Sequence, residues 1–237
     1  MFVARFSIAL ALLPLLACAP KGTRPHDMGV DAHEAKAAEA DASSVHHTEQ
    51  YDPAARAPLD RCEGGKGGRI CWTEMNNPTE GHLREAAAMS EMAAKHREAS
   101  AALRLAEESA CAGIAPADRD ISPFHHTADI VGVEPLTRMG EGKPAPHQTL
   151  GAIVTVQAVP GLTTEWLQRV VDCHIARNES LGNPVSEDPN CPLVPKGVSA
   201  KVSSTGAGFA VEIRASDEAV GAEVLVRAER LLPTRAP

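Results

Sequence analysis

The chain has 237 residues and a formal net charge of −8, a balance that argues against proteins binding nucleic acids or anionic lipids through basic surfaces. Aromatic residues make up 3% of the chain, too few for the stacking platforms that bind bases or sugars, so we expect a core of Val, Leu, Ile and Ala. The length allows one sizeable hydrophobic core.

The beginning of the chain has the layout of a leader for export. Arg5 supplies a short basic start, residues 6–17 are almost wholly apolar, and Leu15 lies three residues before Cys18, which directly follows Ala17. The apolar run is too short to cross a bilayer as a mature helix. This ending resembles a bacterial lipobox, in which the cysteine is lipidated and becomes the new N-terminus, and the resemblance covers this leader only.

The resemblance implies that residues 1–17 are a signal peptide and that acyl chains on Cys18 anchor the protein to a membrane. In enteric lipoproteins an Asp after the cysteine retains the protein at the inner membrane. Here the residue is Ala19, which implies the outer membrane, facing the periplasm or the surface. The alternative is an ordinary cleaved signal with a chance cysteine. Either way, we expect an exported protein in an oxidising compartment.

Residues 18–61 are predicted to form a disordered tether. The segment is rich in Ala and has few large apolar side chains, so it cannot bury enough surface to offset the entropy lost on ordering. Its Ala-rich part, 32–42, is expected to be helical only transiently. As a flexible coil, the tether would hold the folded part clear of the lipid surface.

Cysteine usage predicts two disulfides. Besides the lipobox cysteine, the chain contains Cys62, Cys71, Cys111, Cys173 and Cys191. Disulfides are the default in an exported protein. Because five is an odd number, one thiol stays free, pairs between molecules or binds something. The short connections favour the pairs 62–71 and 173–191, which leave Cys111, and the four other choices of unpaired cysteine stay open.

Residues 62–127 are predicted as a helical segment that starts with the loop closed by Cys62 and Cys71. Thr79 can cap a helix over 79–112, and Gly113 can end it. Spacings of three, four and seven place on one face His82, Met89, Met92, Ala93, His96, Leu103 and Ala110. Thioether and imidazole together suit Cu(I), but we interpret this stripe as a packing face.

Residues 128–233 are predicted as an α+β domain. The patterns indicate, in chain order, strands at 129–136 and 150–159, a helix at 163–178, strands at 198–203 and 209–214, and a helix from Ser216 or Asp217 to Leu232. The clean alternation of the last two strands favours a sheet with one solvated face. The predicted fold is therefore α+β, a long N-terminal helix followed by a two-layer ββα-ββα domain with a mainly antiparallel sheet.

Ten histidines raise the question of a metal site. Four lie in the predicted tether, where they either scavenge metal ions or are solvated filler: His26, His33, His46 and His47. A copper or zinc site is conceivable if the fold brings together Cys111, His125, His126, His147 and His174. Neither a CxxC pair nor any other short metal-ligand spacing supports this set, so no cofactor is predicted outright.

Enzyme signatures are absent from the sequence. The glycine-rich stretch 64–68 lacks the Walker spacing, and neither GxSxG, HExxH nor GxGxxG occurs. The acids Asp118, Asp120 and Asp129 surround the His125-His126 loop and suit acid–base chemistry, although solvated loop charge is the commoner case.

Three functions follow as hypotheses. The leading one is a non-enzymatic, membrane-anchored lipoprotein of the cell envelope that binds a partner protein or a small ligand. The second is an envelope copper- or zinc-binding protein that uses the Cys/His set. The third is an envelope hydrolase with its site in the loop that contains His125 and His126. Nucleic acid is not expected as a partner.

Overall fold

The computed structural model describes residues 22–65, 67–139, 147–184 and 188–232. The predicted signal peptide and Cys18 lie outside these residues. The helices are α1 (Val30–Glu49), α2 (Glu80–Ala110), α3 (Thr164–Leu181) and α4 (Glu218–Glu229), and the strands are β1 (Ala57–Gly65), β2 (Gly68–Asn76), β3 (Ile130–Met139), β4 (His147–Gln157), β5 (Val198–Ser204) and β6 (Gly208–Ala215). Within the described ranges, no helix is both long enough and apolar enough to span a bilayer.

The predicted α+β fold with an antiparallel sheet is confirmed. Strands β3 to β6 form one sheet in the order β3-β4-β6-β5, and every neighbouring pair is antiparallel. Val211 of β6 lies between Val154 of β4 and Val202 of β5 on the buried face. The next pair, Lys201 and Glu212, lies on the solvated face, as the period of two requires.

Helices α3 and α4 cover the buried face of the sheet. They contribute Leu167, Val171, Val224 and Ala228 to the core, and Leu231 joins them just after α4 ends. The predicted caps start both helices: the Thr163 hydroxyl accepts a hydrogen bond from the backbone N–H of Trp166, and the Asp217 carboxylate accepts one from Val220. Helix α2 packs against α3, and α1 packs against α2.

Gly221 sets the distance between α4 and β4. A Cβ atom there would lie 2.4 Å from the carbonyl oxygen of Thr149 and 2.9 Å from the carbonyl carbon of Leu150. Both are backbone atoms, which cannot move aside as a flexible side chain does. We expect Gly221→Ala to lower the free energy of unfolding by about 1–3 kcal/mol, as overpacked core sites do, despite the higher helix propensity of alanine.

Urea unfolding followed by circular dichroism measures this loss. Gly81→Ala is the matched control, because Gly81 also lies in a helix but a Cβ atom there meets nothing within 4 Å. This control should be neutral or slightly stabilising. An equal loss in the two variants would contradict the role given to the close approach of α4 and β4.

The predicted tether is wrong over residues 30–49, which form α1. The helix runs antiparallel to α2, since its start lies near His96 and the hydroxyl of Ser44, near its end, donates to the carbonyl of Ala86. The buried positions of α1 recur at spacings of three and four: Val30, His33, Ala37 and Ala40. Because alanines let two helices approach closely, α1 buries its inner face without large apolar side chains.

Between α1 and α2 the chain forms a two-stranded hairpin, where the sequence predicted a loop. Cys62 on β1 lies directly opposite Cys71 on β2, and the two form a disulfide, so this predicted pair is confirmed. Most side chains of the hairpin are exposed, including Ile70 and Trp72. An isolated two-stranded hairpin is marginally stable in water, so the disulfide, together with the cross-strand pairs Arg61–Glu74 and Asp60–Thr73, holds this one closed.

Candidate functional site

The second disulfide differs from the predicted one. Cys111 bonds to Cys173, and Cys191 is a buried free thiol. The prediction of a 173–191 bond with Cys111 left over is therefore wrong. Cys111 caps the C-terminal end of α2, and Cys173 lies within α3, so the bond joins two helices that pack against each other. Closeness in sequence favoured Cys191, but the packing of α2 on α3 decides the pair.

The five residues considered as a copper or zinc site are not brought together. Cys111 has no free thiol, His125 and His126 are exposed in the loop before β3, and His147 is exposed at the first residue of β4. Among the described residues, His174, buried on α3, is the one of the five that belongs to a group of three potential metal ligands, with Asp188 and Cys191. The sequence predicted one free cysteine and favoured Cys111. The structure does contain one free cysteine among the described residues, but it is Cys191, which lies beside His174.

Two of the four histidines in the predicted tether, His33 and His47, lie between α1 and α2. His33 of α1 and His96 of α2 are buried with their Nδ1 atoms 3.0 Å apart, and the Nδ1 atoms of His47 and His82 lie 3.2 Å apart. The interpretation of the α2 stripe as a packing face is confirmed by the burial of His96 and Leu103. The sequence did not reveal that this face packs against α1, because the composition of α1 indicated disorder.

An apolar cleft of about 510 Å³ lies at the N-terminal end of α3, beneath the loop that joins α2 to β3. Small-molecule sites have volumes of about 300–1,000 Å³ and predominantly apolar walls. The floor and walls include Phe124 from the loop, Ile130 and Val156 from the sheet, and Leu167 and Val170 from α3. All five are buried or half-buried, so the rest of the fold holds these walls in place.

The rim of the cleft combines exposed apolar and polar groups. Trp166 is 43% exposed and Ile121 is 48% exposed, and both line the opening. Asp118 and His126 lie beside them, so the loop singled out by the sequence does border the cleft. Asp129 also faces it and accepts a hydrogen bond of 2.8 Å from Gln157. The apolar body with a few polar groups at its mouth suits an apolar ligand with one polar end.

The residues considered for a hydrolase do not converge on one concave surface. Asp118, Asp120, His125 and His126 are all exposed. Asp118 and His126 border the cleft, whereas Asp120 faces a different depression and is paired with Arg177 at 2.7 Å. In a hydrolase of this kind, the nucleophile, its base and the group that orients the base lie within hydrogen-bonding reach of one another. These four side chains do not form such an arrangement.

A larger concave region, about 1010 Å³, lies where the start of α1 meets α2 and α3. Its lining is strongly charged, and Arg104 and Arg177 there are paired with Glu34 and Glu107. Small-molecule sites have predominantly apolar walls, whereas the walls of this region are mostly charged or polar. The smaller apolar cleft is therefore the better candidate for ligand binding.

Cys191 lies directly behind the cleft. The hydroxyl of Ser122, a lining residue, donates a hydrogen bond to its Sγ at 3.3 Å, and the Nε2 atom of His174 lies 3.4 Å from the same sulfur. Burial raises the pKa of the Cys191 thiol to about 11. Burial also lowers the pKa of His174. Both groups are thus neutral at pH 7, and the thiol is a poor nucleophile.

Comparison of the chain with protein-family models, with curated proteins and with solved structures finds no match. Two features stand out among the described residues: the open apolar cleft, and the buried group of His174, Asp188 and Cys191 behind it.

Proposed function

We propose that this protein is an exported, lipid-anchored and non-enzymatic binding protein of the cell envelope, and that its cleft takes a small apolar ligand. The observation that carries the proposal is the cleft of about 510 Å³, with buried walls and an exposed Trp166 at its mouth. A preformed apolar cavity of this size binds ligands chiefly through the apolar surface that it removes from water. The polar groups at the rim would orient the ligand.

The position of the cleft suits a protein held at a membrane by Cys18. Gly22 is the fourth residue after Cys18, a span of at most about 14 Å. Gly29, at the start of α1, touches Gly182, at the C-terminal end of α3. The cleft lies at the other end of α3, and the 15 residue steps from Trp166 to Leu181 span about 22 Å. The anchored end would therefore be well separated from the ligand.

A non-enzymatic role is supported by the state of the most reactive group near the cleft. With a pKa of about 11, the Cys191 thiol is ionised in roughly one molecule in ten thousand at pH 7. Catalytic cysteines have the opposite property, a pKa lowered by neighbouring positive charge. Ser122 lies between the Cys191 thiol and the cleft, so the thiol is not exposed to a ligand in the cleft.

Binding of an uncharged apolar dye, N-phenyl-1-naphthylamine, tests the proposal. The protein is the chain from residue 18 with Cys18→Ser, so that no detergent competes for the dye, and with Trp72→Phe, so that Trp166 is the remaining tryptophan. We expect saturable binding of one dye molecule, with energy transfer from Trp166. Ile121→Asp should weaken binding about tenfold, equivalent to about 1.4 kcal/mol, by placing a charge at the mouth.

Leu105→Asp is the control for the charge itself. Leu105 is 67% exposed on α2 and does not line the cleft, so its replacement should leave dye binding unchanged. Equal binding by the Ile121→Asp protein and its parent, or binding without energy transfer from Trp166, would place the dye elsewhere and contradict the proposal.

A further inference from the structure

The cysteine that takes part in neither disulfide lies in a set of three different metal-binding groups. Cys191 is 1% exposed and His174 is 4% exposed. The thiol sulfur, an imidazole nitrogen and a carboxylate oxygen of Asp188 all lie within 4.8 Å of one another. His174 comes from α3, whereas Asp188 and Cys191 come from the segment that precedes β5. A helix and a separate loop thus converge on one point.

The spacing of these atoms suits a tetrahedral ion. Zinc binds sulfur at about 2.3 Å and nitrogen at about 2.0–2.1 Å, so two ligand atoms at a tetrahedral angle lie roughly 3.3–3.8 Å apart. The Sγ atom of Cys191 and the Nε2 atom of His174 are 3.4 Å apart, inside that range. The carboxylate of Asp188, which is half-buried, needs only a side-chain rotation to complete the set.

The charges around the set are compatible with a divalent cation. A thiolate and a carboxylate together neutralise Zn²⁺, so the loaded site would carry no net charge into a buried position. Two of the nearby guanidinium groups have carboxylate partners, since Arg177 pairs with Asp120 and Arg227 pairs with Glu223, and the Nε of a third, Arg119, donates to the carbonyl of Ile114. The two paired guanidinium groups therefore place little uncompensated positive charge against the ion.

The imidazole of His174 is free to act as a ligand. Its Nδ1 atom is the one buried side-chain nitrogen or oxygen among the described residues without a hydrogen-bond partner of ordinary geometry. The backbone of Arg119 acts as a hydrogen-bond partner of the ring, although its geometry at Nδ1 is not ordinary. A proton on Nδ1 leaves the lone pair of Nε2 directed at the ion, as in other metal-bound histidines.

A depression of about 220 Å³ leads to the set from the surface. His174 and Asp188 line it together with Arg119, Asp120 and Arg177. It gives a metal ion a path of entry, and it gives a water molecule room at a fourth position. The mixed sulfur, nitrogen and oxygen donors favour zinc, since Cu(I) prefers soft ligands and binds carboxylates poorly.

We propose that His174, Asp188 and Cys191 bind one zinc ion, with a fourth position open to the depression. Binding releases the thiol proton of Cys191 to solvent and forms the zinc–sulfur bond, without any change of oxidation state. The site is separate from the proposed ligand cleft, since none of its three residues lines the cleft, although Ser122, which does line it, donates to the Sγ of Cys191.

The test uses the chain from residue 18 with Cys18→Ser, stripped of metal with a chelator and loaded with Zn²⁺ or Co²⁺. We expect one equivalent of Co²⁺ to produce a thiolate-to-metal charge-transfer band, because Cys191 is the one cysteine outside the two disulfides and position 18. Calorimetry should give micromolar or tighter zinc binding, with proton release. Cys191→Ser should abolish the band and weaken zinc binding by more than the roughly 10–100-fold caused by loss of an outer-shell partner.

Two further variants keep the proposal falsifiable if Cys191→Ser folds poorly. Asp188→Asn, at a half-buried position, should weaken zinc binding and leave dye binding in the cleft intact. His82→Ala disrupts the other group of metal-binding side chains, His47, His82 and Glu85, and should leave the charge-transfer band unchanged. Absence of the band in the folded parent, or zinc binding lost with His82 but kept without Asp188, would overturn the proposal. Dye binding reports separately on the proposed function.

Discussion

Replacing both Cys111 and Cys173 by alanine is expected to lower the free energy of unfolding by about 4 kcal/mol. The two residues are 62 apart in sequence, and the chain-entropy model gives about 4 kcal/mol for a loop of that length. The bond also joins two layers of the fold, because α2 would otherwise be held on α3 by side-chain packing and the ion pair of Glu107 with Arg177. Urea unfolding at pH 7, followed by circular dichroism, measures the loss.

The packing around the disulfide increases the expected effect. Both cysteines are fully buried and form a small cluster with Ile114 and Val170. Alanine leaves each sulfur's place empty, and buried cavities add to the loss of stability. Helix α1 is attached to the fold mainly through α2. In hydrogen exchange, we therefore expect α1 and α2 to become the least protected part of the Cys111→Ala/Cys173→Ala protein.

The hairpin disulfide supplies the matched comparison. Cys62 and Cys71 are nine residues apart, and the hairpin that they close makes few contacts outside itself. Its opening is therefore local, and replacing both by alanine should leave the unfolding of the sheet and helices nearly unchanged. Equal losses from the two pairs, or no loss from Cys111→Ala/Cys173→Ala, would show that the bond between α2 and α3 does not stabilise the fold.

The C-terminal half of the fold was predictable because its signals are local. Alternating residues such as Val198, Val202 and Val211 indicate strands by their period, and Thr163 and Asp217 indicate helix starts by their capping chemistry. Each of these signals is contained in a few consecutive residues. The predicted elements therefore match the observed ones to within a few residues.

The features that the sequence did not reveal depend on contacts between distant segments. Helix α1 has an inner face of Ala and His, which is apolar enough only when α2 lies against it. Likewise, the partner of Cys173 is determined by the packing of α2 on α3, not by distance along the chain. The grouping of His174 with Asp188 and Cys191 needs both the helix and the following loop in place. The one sequence signal for this group was the odd number of cysteines after Cys18, which left one unpaired.

Acid is expected to detach α1 from α2 before the rest of the fold unfolds. His33 and His96 are both buried in the interface between these helices, with ring centroids 5.3 Å apart. Neighbouring charges are Lys36 on α1 and the pair formed by Glu34 and Arg104. Neutral rings share one hydrogen bond, whereas two protonated rings would repel each other by about 3 kcal/mol at an effective dielectric constant of 20, before screening by salt.

The direction follows from the pKa of His96, which burial and the neighbouring His33 hold below its ordinary value of 6.5. The unfolded chain therefore binds more protons than the folded protein as the pH falls below about 6.5. The stability of the α1–α2 packing is complete above that pH and is lost as the pH falls through the lower pKa of the folded state. Surface carboxylates such as Glu34, whose pKa lies below 4.5 in the folded protein, act only at lower pH.

Hydrogen exchange at pH 7.5 and pH 5.5, corrected for the intrinsic exchange rate, separates this effect from general acid unfolding. Amides of α1 should lose protection at pH 5.5, while those of β4 and β6 keep theirs. His33→Leu/His96→Leu replaces both rings by apolar side chains and should keep α1 protected at both pH values. Burial also lowers the pKa of His174, so acid will weaken the core around α3 as well. Loss of protection that is uniform across the chain, or unchanged in the double leucine variant, would assign the acid sensitivity to His174 and not to the interhelical pair.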